Sequence, residues 1–441
     1  MKSLIKKLFG GQTLMKFSGT LLVKLLGTAI AFLSQVALTN ILGASEYGDF
    51  VYIFSWVMTL SLIARLGFDN LTIHLLPKYL IDQKQELIKG LIRFTRLFAL
   101  VLSLVIGGIY LLSAFYLVET EMWLWTANTI AMLVVLPLIV LAYLNQSLLV
   151  ALKKTVIANI PILILRHLIL TIGVFLVYQF TGTVDVQTAM LINAIAIFLA
   201  FAMSFWWISR EMKFLSKLKK INMVPREWLR KSLPYTIYGG ASFLNRRADI
   251  LMLGAIALSV DVAVYNVSFQ LISFLALGIN IVNQIAKPKI VEFFARNDLG
   301  KVEAYSVKMA LLNFAFTLVA SLVLVFLGKP ILSIFGPEFE AGYEVVMIFA
   351  LGRTLSALFG ISTVILAMSD YQKLISRLEL VFLLLNILLN YLLIPIYGVV
   401  GAAIATSIAL FLRRLTDYLF CINRFKINVG LFNLKQIISL R

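Results

Sequence analysis

The sequence predicts an all-α polytopic membrane protein of twelve transmembrane helices in two six-helix bundles related by pseudo-two-fold symmetry. Three observations predict it. Apolar stretches of about 20 residues, the length that spans a hydrocarbon core about 30 Å thick, recur from one end to the other. The loops between them alternate in charge. Short stretches of the first half return in the second at a constant spacing. Composition agrees: 61% of the 441 residues are hydrophobic and 14% charged. A mean hydropathy of +0.96 excludes an ordinary soluble domain.

The expected spans follow in order. The first, roughly 17–40, is interrupted by Lys24 and followed by no small-residue cleavage site, so it reads as a span and not as a cleaved signal peptide. The second, roughly 48–76, follows Leu42-Gly43-Ala44. Spans at roughly 95–118, 123–151, 155–180 and 188–209 complete a first bundle, 1–209, with Pro137 and Pro161 placed to free backbone carbonyls and bend two of them. The Lys-rich stretch 210–231, which contains Pro225, reads as a cytoplasmic linker, and its bases equally suit a lipid-headgroup anchor. The second bundle, 232–441, has spans at roughly 232–258, 261–286, 305–328, 341–368, 374–395 and 398–420, Pro234 in the first of them, then a short cytoplasmic tail.

A net charge of +18 would suggest nucleic acid if it were gathered on one soluble face. Here it is spread by topology. Bases fill the amino terminus (Lys2, Lys6, Lys7, Lys16) and every second loop, as at Lys84 and Lys89, Lys153 and Lys154, Lys213 to Lys220, and Lys287 and Lys289. The alternate loops hold Glu46, Glu119, Glu121, Asp185, Asp261, Glu338 and Glu340, with Lys329 their only base. That asymmetry places both termini in the cytoplasm. One cysteine, Cys421, excludes an internal disulfide, and two histidines, His74 and His167, leave no Cys/His metal site. No Walker A pattern accompanies the chain, so ATP hydrolysis is not expected. Without a long outer loop to hold an active site, the chain reads as a non-enzyme. Glu338 and Glu340 read as a turn and a helix start.

Repetition supports the two bundles. Leu42-Gly43-Ala44, Leu66-Gly67 and Pro77-Lys78 recur as Leu253-Gly254-Ala255, Leu277-Gly278 and Pro288-Lys289, each displaced by 211 residues. Six spans per repeat give both halves the same orientation, about an axis near the membrane normal, with a substrate path between them.

Ionisable groups inside the apolar stretches point to function, because each costs at least a few kcal/mol at bilayer depth. Lys24, Arg65, Arg166, Arg246, Arg247 and Arg353 face only two acids, Asp69 and Asp249. Asp69 lies four residues from Arg65, and Asp249 three from Arg246, spacings that let each pair share a helical face. Structural pairing would balance charge; the basic excess suits a cationic cavity for phosphate or acidic sugar, since guanidinium groups bind phosphate through two fixed donors. His167 is placed to couple protons or to hydrogen-bond in a cavity. Asn145, Gln146, Asn245, Asn386 and Asn390 read as cavity-lining amides or interhelical hydrogen-bond partners, Asn386 and Asn390 on one face.

Four stretches carry a resemblance to a family: Leu42-Gly43-Ala44-Ser45-Glu46-Tyr47-Gly48; Ser232-Leu233-Pro234 on to Asp249 and Leu253-Gly254; Phe335-Gly336-Pro337; and Asn386 through Asn390 to Ile394-Pro395-Ile396-Tyr397-Gly398, then Gly401-Ala402-Ala403. The chain resembles the polysaccharide and O-antigen flippases of the multidrug/oligosaccharidyl-lipid/polysaccharide exporter superfamily. The resemblance implies two bundles set as a V around a central cavity, opening alternately to either side of a prokaryotic cytoplasmic membrane. It implies a polyprenyl-pyrophosphate-linked oligosaccharide as cargo for O-antigen, capsule or exopolysaccharide, with a polymerase and chain-length machinery as partners of a monomer. No cofactor is implied beyond coupling to H+ or Na+. A cation-coupled drug exporter of the same superfamily is the alternative; its cavity carboxylates are outnumbered by bases here.

Overall fold

The computed structural model describes residues 2–117, 122–217, 220–369 and 371–433. The loop acids Glu119 and Glu121, Lys219 of the linker and the tail 434–441 lie outside them. Every regular element among the described residues is helical. In order these are α1 (Lys2–Arg65), α2 (Phe68–Ile81), α3 (Gln85–Leu117), α4 (Met122–Ile130), α5 (Leu136–Ala151), α6 (Thr155–Ile160), α7 (Arg166–Thr181), α8 (Val186–Glu211) and α9 (Pro225–Leu244). Then follow α10 (Ala248–Ile256), α11 (Ser259–Ala295), α12 (Leu299–Ser333), α13 (Tyr343–Ala357), α14 (Ser362–Met368) and α15 (Gln372–Phe425).

Among the described residues seven helices are long and apolar enough to cross a membrane, or eight if Pro337–Ala357 and Ser362–Met368, bent by 57°, form one crossing. Twelve were expected, and the difference has physical sources. α1 and α15 run for 64 and 54 residues, about 96 and 81 Å of helix against about 30 Å of hydrocarbon. Each contains a glycine at positive φ, Gly43 at 74° and Gly398 at 53°, and at Gly398 the backbone leaves the helical conformation so that two helices meet across a kink. Two further expected spans fall on α9–α10, interrupted by a turn at Asn245–Arg247, and on α11.

The chain divides into two compact units, Met1–Gly240 and Ala241–Arg441. In the first, Thr20 meets Thr155 at 2.8 Å beside the Lys153-Lys154 turn. The Glu46 carboxylate accepts from the Val186 backbone N–H at 2.7 Å, at the start of α8, and Arg65 lies 4.4 Å from the ring of Tyr143 in α5. α1 therefore crosses this unit once before Gly43 and returns after it. α4–α5 and α6–α7 each contain a π-helical turn, Ala131–Val135 just before Pro137 and Pro161–Leu165, because a proline withdraws one donor from the ladder and locally widens it. The start of α9 packs here too: Trp228 Nε1 donates to Tyr79 Oη at 3.2 Å.

In the second unit α15 is a helical hairpin. Asn386 Nδ2 donates to Thr406 Oγ1 at 3.0 Å and Glu379 lies 3.7 Å from Arg413, pairs that both centre on Ile396, close to Gly398. α11 and α12 are antiparallel, with Asn313 and Asn283 at 3.5 Å and the Phe293 and Tyr305 rings 5.8 Å apart. α12 shows the membrane-protein polarity: Ser306, Asn313, Thr317 and Ser321 are buried while Val319, Leu322, Val323 and Phe326 are exposed. Small polar groups hold helices together where apolar burial gives no advantage over lipid.

Candidate functional site

The second unit encloses a polar pocket of ≈ 310 Å³. The turn between α9 and α10 supplies Ser242, Asn245 and Arg246; α13 supplies Arg353 and α14 Thr363. The two arms of α15 supply Glu379 and Asn386 on one side and Thr406, Arg413, Arg414 and Asp417 on the other. Four guanidinium groups face two carboxylates. Arg413 pairs with Asp417 one turn away and approaches Glu379 at 3.7 Å. Thr363 Oγ1 donates to Asp417 at 2.6 Å and accepts from Arg414. Arg353 makes no hydrogen bond or ion pair with any described residue. Arg246 donates to the Ser242 hydroxyl at 3.1 Å and forms no ion pair among the described residues, Glu379 being the acid that acts on it at longer range. Arg353 and Arg414 also line a smaller adjoining pocket of ≈ 50 Å³ with Asn283 and Asn313.

Behind this pocket sits Asp249, 1% exposed. Its carboxylate accepts from Tyr265 Oη and Asn390 Nδ2, both at 2.6 Å, and from Thr406 Oγ1 at 2.7 Å. Asn390 also donates to Asn386 Oδ1 at 3.1 Å, so the two amides do share a face. The expected pairing of Asp249 with Arg246 is not made. The helix is broken between them: Asn245, Arg246 and Arg247 form a turn, and Arg247 takes φ −127° and ψ −17°, so three-residue spacing no longer means one face. Arg247, half-buried, caps α10 and does not line the pocket; Arg246 does. Asn245 anchors the turn, donating to the Glu379 carbonyl and carboxylate at 3.2 and 3.1 Å.

The first-unit candidates are spread out. Arg65 and Asp69 pair at 2.9 Å, with Arg65 Nε on the Ser61 carbonyl. Arg166, placed just after the π-helical turn, is buried, donates twice to Asn193 Oδ1 at 3.1 and 3.0 Å, and stacks on Phe54. His167 is half-buried beside it and Lys24 is exposed among Leu21, Leu22, Leu25 and Leu26. Asn145 and Gln146 are interhelical partners: Asn145 accepts from Arg96 at 2.6 Å and donates to Ser204 at 3.0 Å, and Gln146 donates to Asn159 at 3.1 Å. Asn145 is wholly buried.

Sequence reasoning missed Glu379, Arg413, Arg414 and Asp417. The signal was present, since Arg413 and Asp417 are four apart and lie in an apolar stretch ending near 420. The hairpin that folds them onto Glu379 and Arg353 is not visible in local spacing.

Residues 14–294 match the family described as polysaccharide biosynthesis protein. The chain is 23% identical over 252 residues to the capsular polysaccharide biosynthesis protein CapF of Staphylococcus aureus, a match covering 56% of this chain and 62%, less than two thirds, of that one. Among solved structures, the fold matches an inward-facing multidrug resistance MATE family transporter of the MOP superfamily, with TM-score 0.70 and 13% identity over 90% of this chain and 94% of that one. It matches the lipid II flippase MurJ in an inward closed conformation equally well, with TM-score 0.70 and 16% identity over 96% and 91%.

Proposed function

The chain belongs to the polysaccharide biosynthesis protein family, and on that premise we propose that it is a flippase for polyprenyl-pyrophosphate-linked oligosaccharide units in surface polysaccharide synthesis. The observation that carries this reading is the second-unit pocket, where Arg353 and Arg246 form no ion pair among the described residues. Guanidinium groups left open in a polar cavity call for an anion, and a pyrophosphate offers oxygens for two-donor contacts. Transport is by alternating access in the cytoplasmic membrane of a prokaryote, with both termini inside and no covalent chemistry on the chain. Asp249, a carboxylate held by neutral donors next to the pocket, is the group for coupling to H+ or Na+. A polymerase and chain-length proteins would take the delivered units.

A cation-coupled small-molecule exporter is the second reading, favoured by the same buried Asp249. The pocket's basic excess opposes a cationic cargo. Replacing Arg353, Arg246 and Arg414 singly with Ala tests the two. The flippase loses surface polysaccharide at unchanged protein level; wild-type polysaccharide with altered drug sensitivity would transfer the case to the exporter.

A further inference from the structure

The first unit contains a larger cleft that none of this explains. It measures ≈ 760 Å³ and runs between α3 and the end of α8, with Leu141 of α5 beneath. One end is basic, with Lys89 and Arg93 on α3 and Lys213 just after α8. The other is apolar, with Leu97 and Leu100 on α3 and Phe201 and Phe205 on α8. Lys89 to Leu100 is eleven residues along one helix, about 17 Å. No acidic side chain lines the cleft among the described residues.

We propose that this cleft is a binding site for an anionic glycerophospholipid of the surrounding bilayer, its phosphate held at the basic end and an acyl chain laid along the apolar one. Three features select that chemistry. Arg96 sits where the two ends meet: its Nη2 donates to Asn145, its guanidinium lies 5.3 Å from the Phe205 ring, and its Nε is buried without a partner. A buried unmet charged donor is costly, and a phosphate oxygen satisfies it. Leu97 and Phe205 are 59% and 45% exposed, so the apolar end opens sideways onto lipid and not into water. A soluble phosphate or sugar would leave that end wet, whereas basic pockets between transmembrane helices suit lipid headgroups.

The site is independent of what the second-unit pocket carries, and its test does not read transport. Purified, delipidated protein is titrated with phosphatidylglycerol, with phosphatidylcholine of the same chains, with inorganic phosphate and with undecaprenyl phosphate, and adducts are counted by native mass spectrometry. Phosphatidylglycerol should bind about tenfold or more tightly than phosphatidylcholine. Arg93→Gln, at the exposed rim, should erase most of that preference; Leu100→Trp, which fills the apolar end, should weaken both lipids. Equal affinity for the two phospholipids in the wild-type protein overturns the proposal without reference to any variant. So do unchanged phosphatidylglycerol binding in both variants, displacement by inorganic phosphate, which would make it a free-phosphate site, or stronger binding of undecaprenyl phosphate that both cleft variants abolish, which would make it a cargo site.

Discussion

Asn386 donates to Thr406 at 3.0 Å across the α15 hairpin, and Thr406 passes its own proton donor on to Asp249 at 2.7 Å. The pocket wall and the buried carboxylate are thus one hydrogen-bonded chain, and a change at Asp249 reaches the cavity through two side chains.

Asp249→Leu should therefore destabilise strongly. It strips acceptors from Tyr265, Asn390 and Thr406 together, and each buried donor left unmet costs about 1–3 kcal/mol. Asp249→Asn keeps the shape and one acceptor, so thermal unfolding in detergent should show a loss of only about 1–3 kcal/mol. If Asp249 couples transport to an ion gradient, the Asn variant is folded and inactive. Full export by that variant sinks the coupling role.

The open guanidinium groups give a second expectation. Arg353→Ala and Arg246→Ala should each weaken binding of a pyrophosphate-bearing lipid about tenfold or more, read by tryptophan fluorescence or calorimetry. Lysine at position 353 should restore little, because a point charge lacks the two-donor fork. Arg247→Ala should matter less than Arg246→Ala, since Arg247 does not line the pocket. The reverse order would return the binding role to Arg247.

Much of this was legible in the sequence, and the failures have a common cause. Hydropathy and loop charge reveal apolar helices because those are local averages. Charge at depth singled out Arg246, Asp249 and Arg353 because an ionisable group in an apolar run needs a reason. The partners were harder. Arg246 and Asp249 looked like a pair by helical spacing, and a three-residue turn between them cancelled the argument. Glu379, Arg413 and Asp417 converge only through a reversal at Gly398. Asn145 reads equally as a cavity amide or an interhelical partner, and local spacing does not show that Arg96, 49 residues earlier, is the residue that donates to it.

Arg65 and Asp69 offer a test of a pair that spacing did identify. Their side chains are 8% and 23% exposed. Asp69→Leu leaves a nearly buried cation without its carboxylate and should cost about 1–3 kcal/mol, less than the about 3–5 kcal/mol of a fully buried pair because water reaches Asp69. The double variant Arg65→Met/Asp69→Leu should recover most of that loss, since an apolar pair replaces both charges. A double variant worse than Asp69→Leu alone would show that the Arg65 stack on Tyr143, and not the ion pair, holds this corner.

Gly398 carries the reversal on which the pocket depends. Its φ of 53° with ψ of −129° lies where a side chain clashes with its own backbone. No neighbouring atom crowds a Cβ placed there, so Gly398→Ala isolates backbone strain from packing, and the expected loss is about 1–3 kcal/mol. Gly401→Ala is the complementary case. It is helical, but its Cβ would run into the Leu393 carbonyl of the opposite arm, so its cost is steric and forces the arms apart. Strain at 398 lowers the unfolding temperature while leaving the Glu379–Arg413 and Asn386–Thr406 contacts in place. Separation at 401 breaks those contacts, so ligand binding in the pocket falls along with stability. Equal stability of Gly398→Ala and the wild-type protein would mean that the hairpin reverses by some other route.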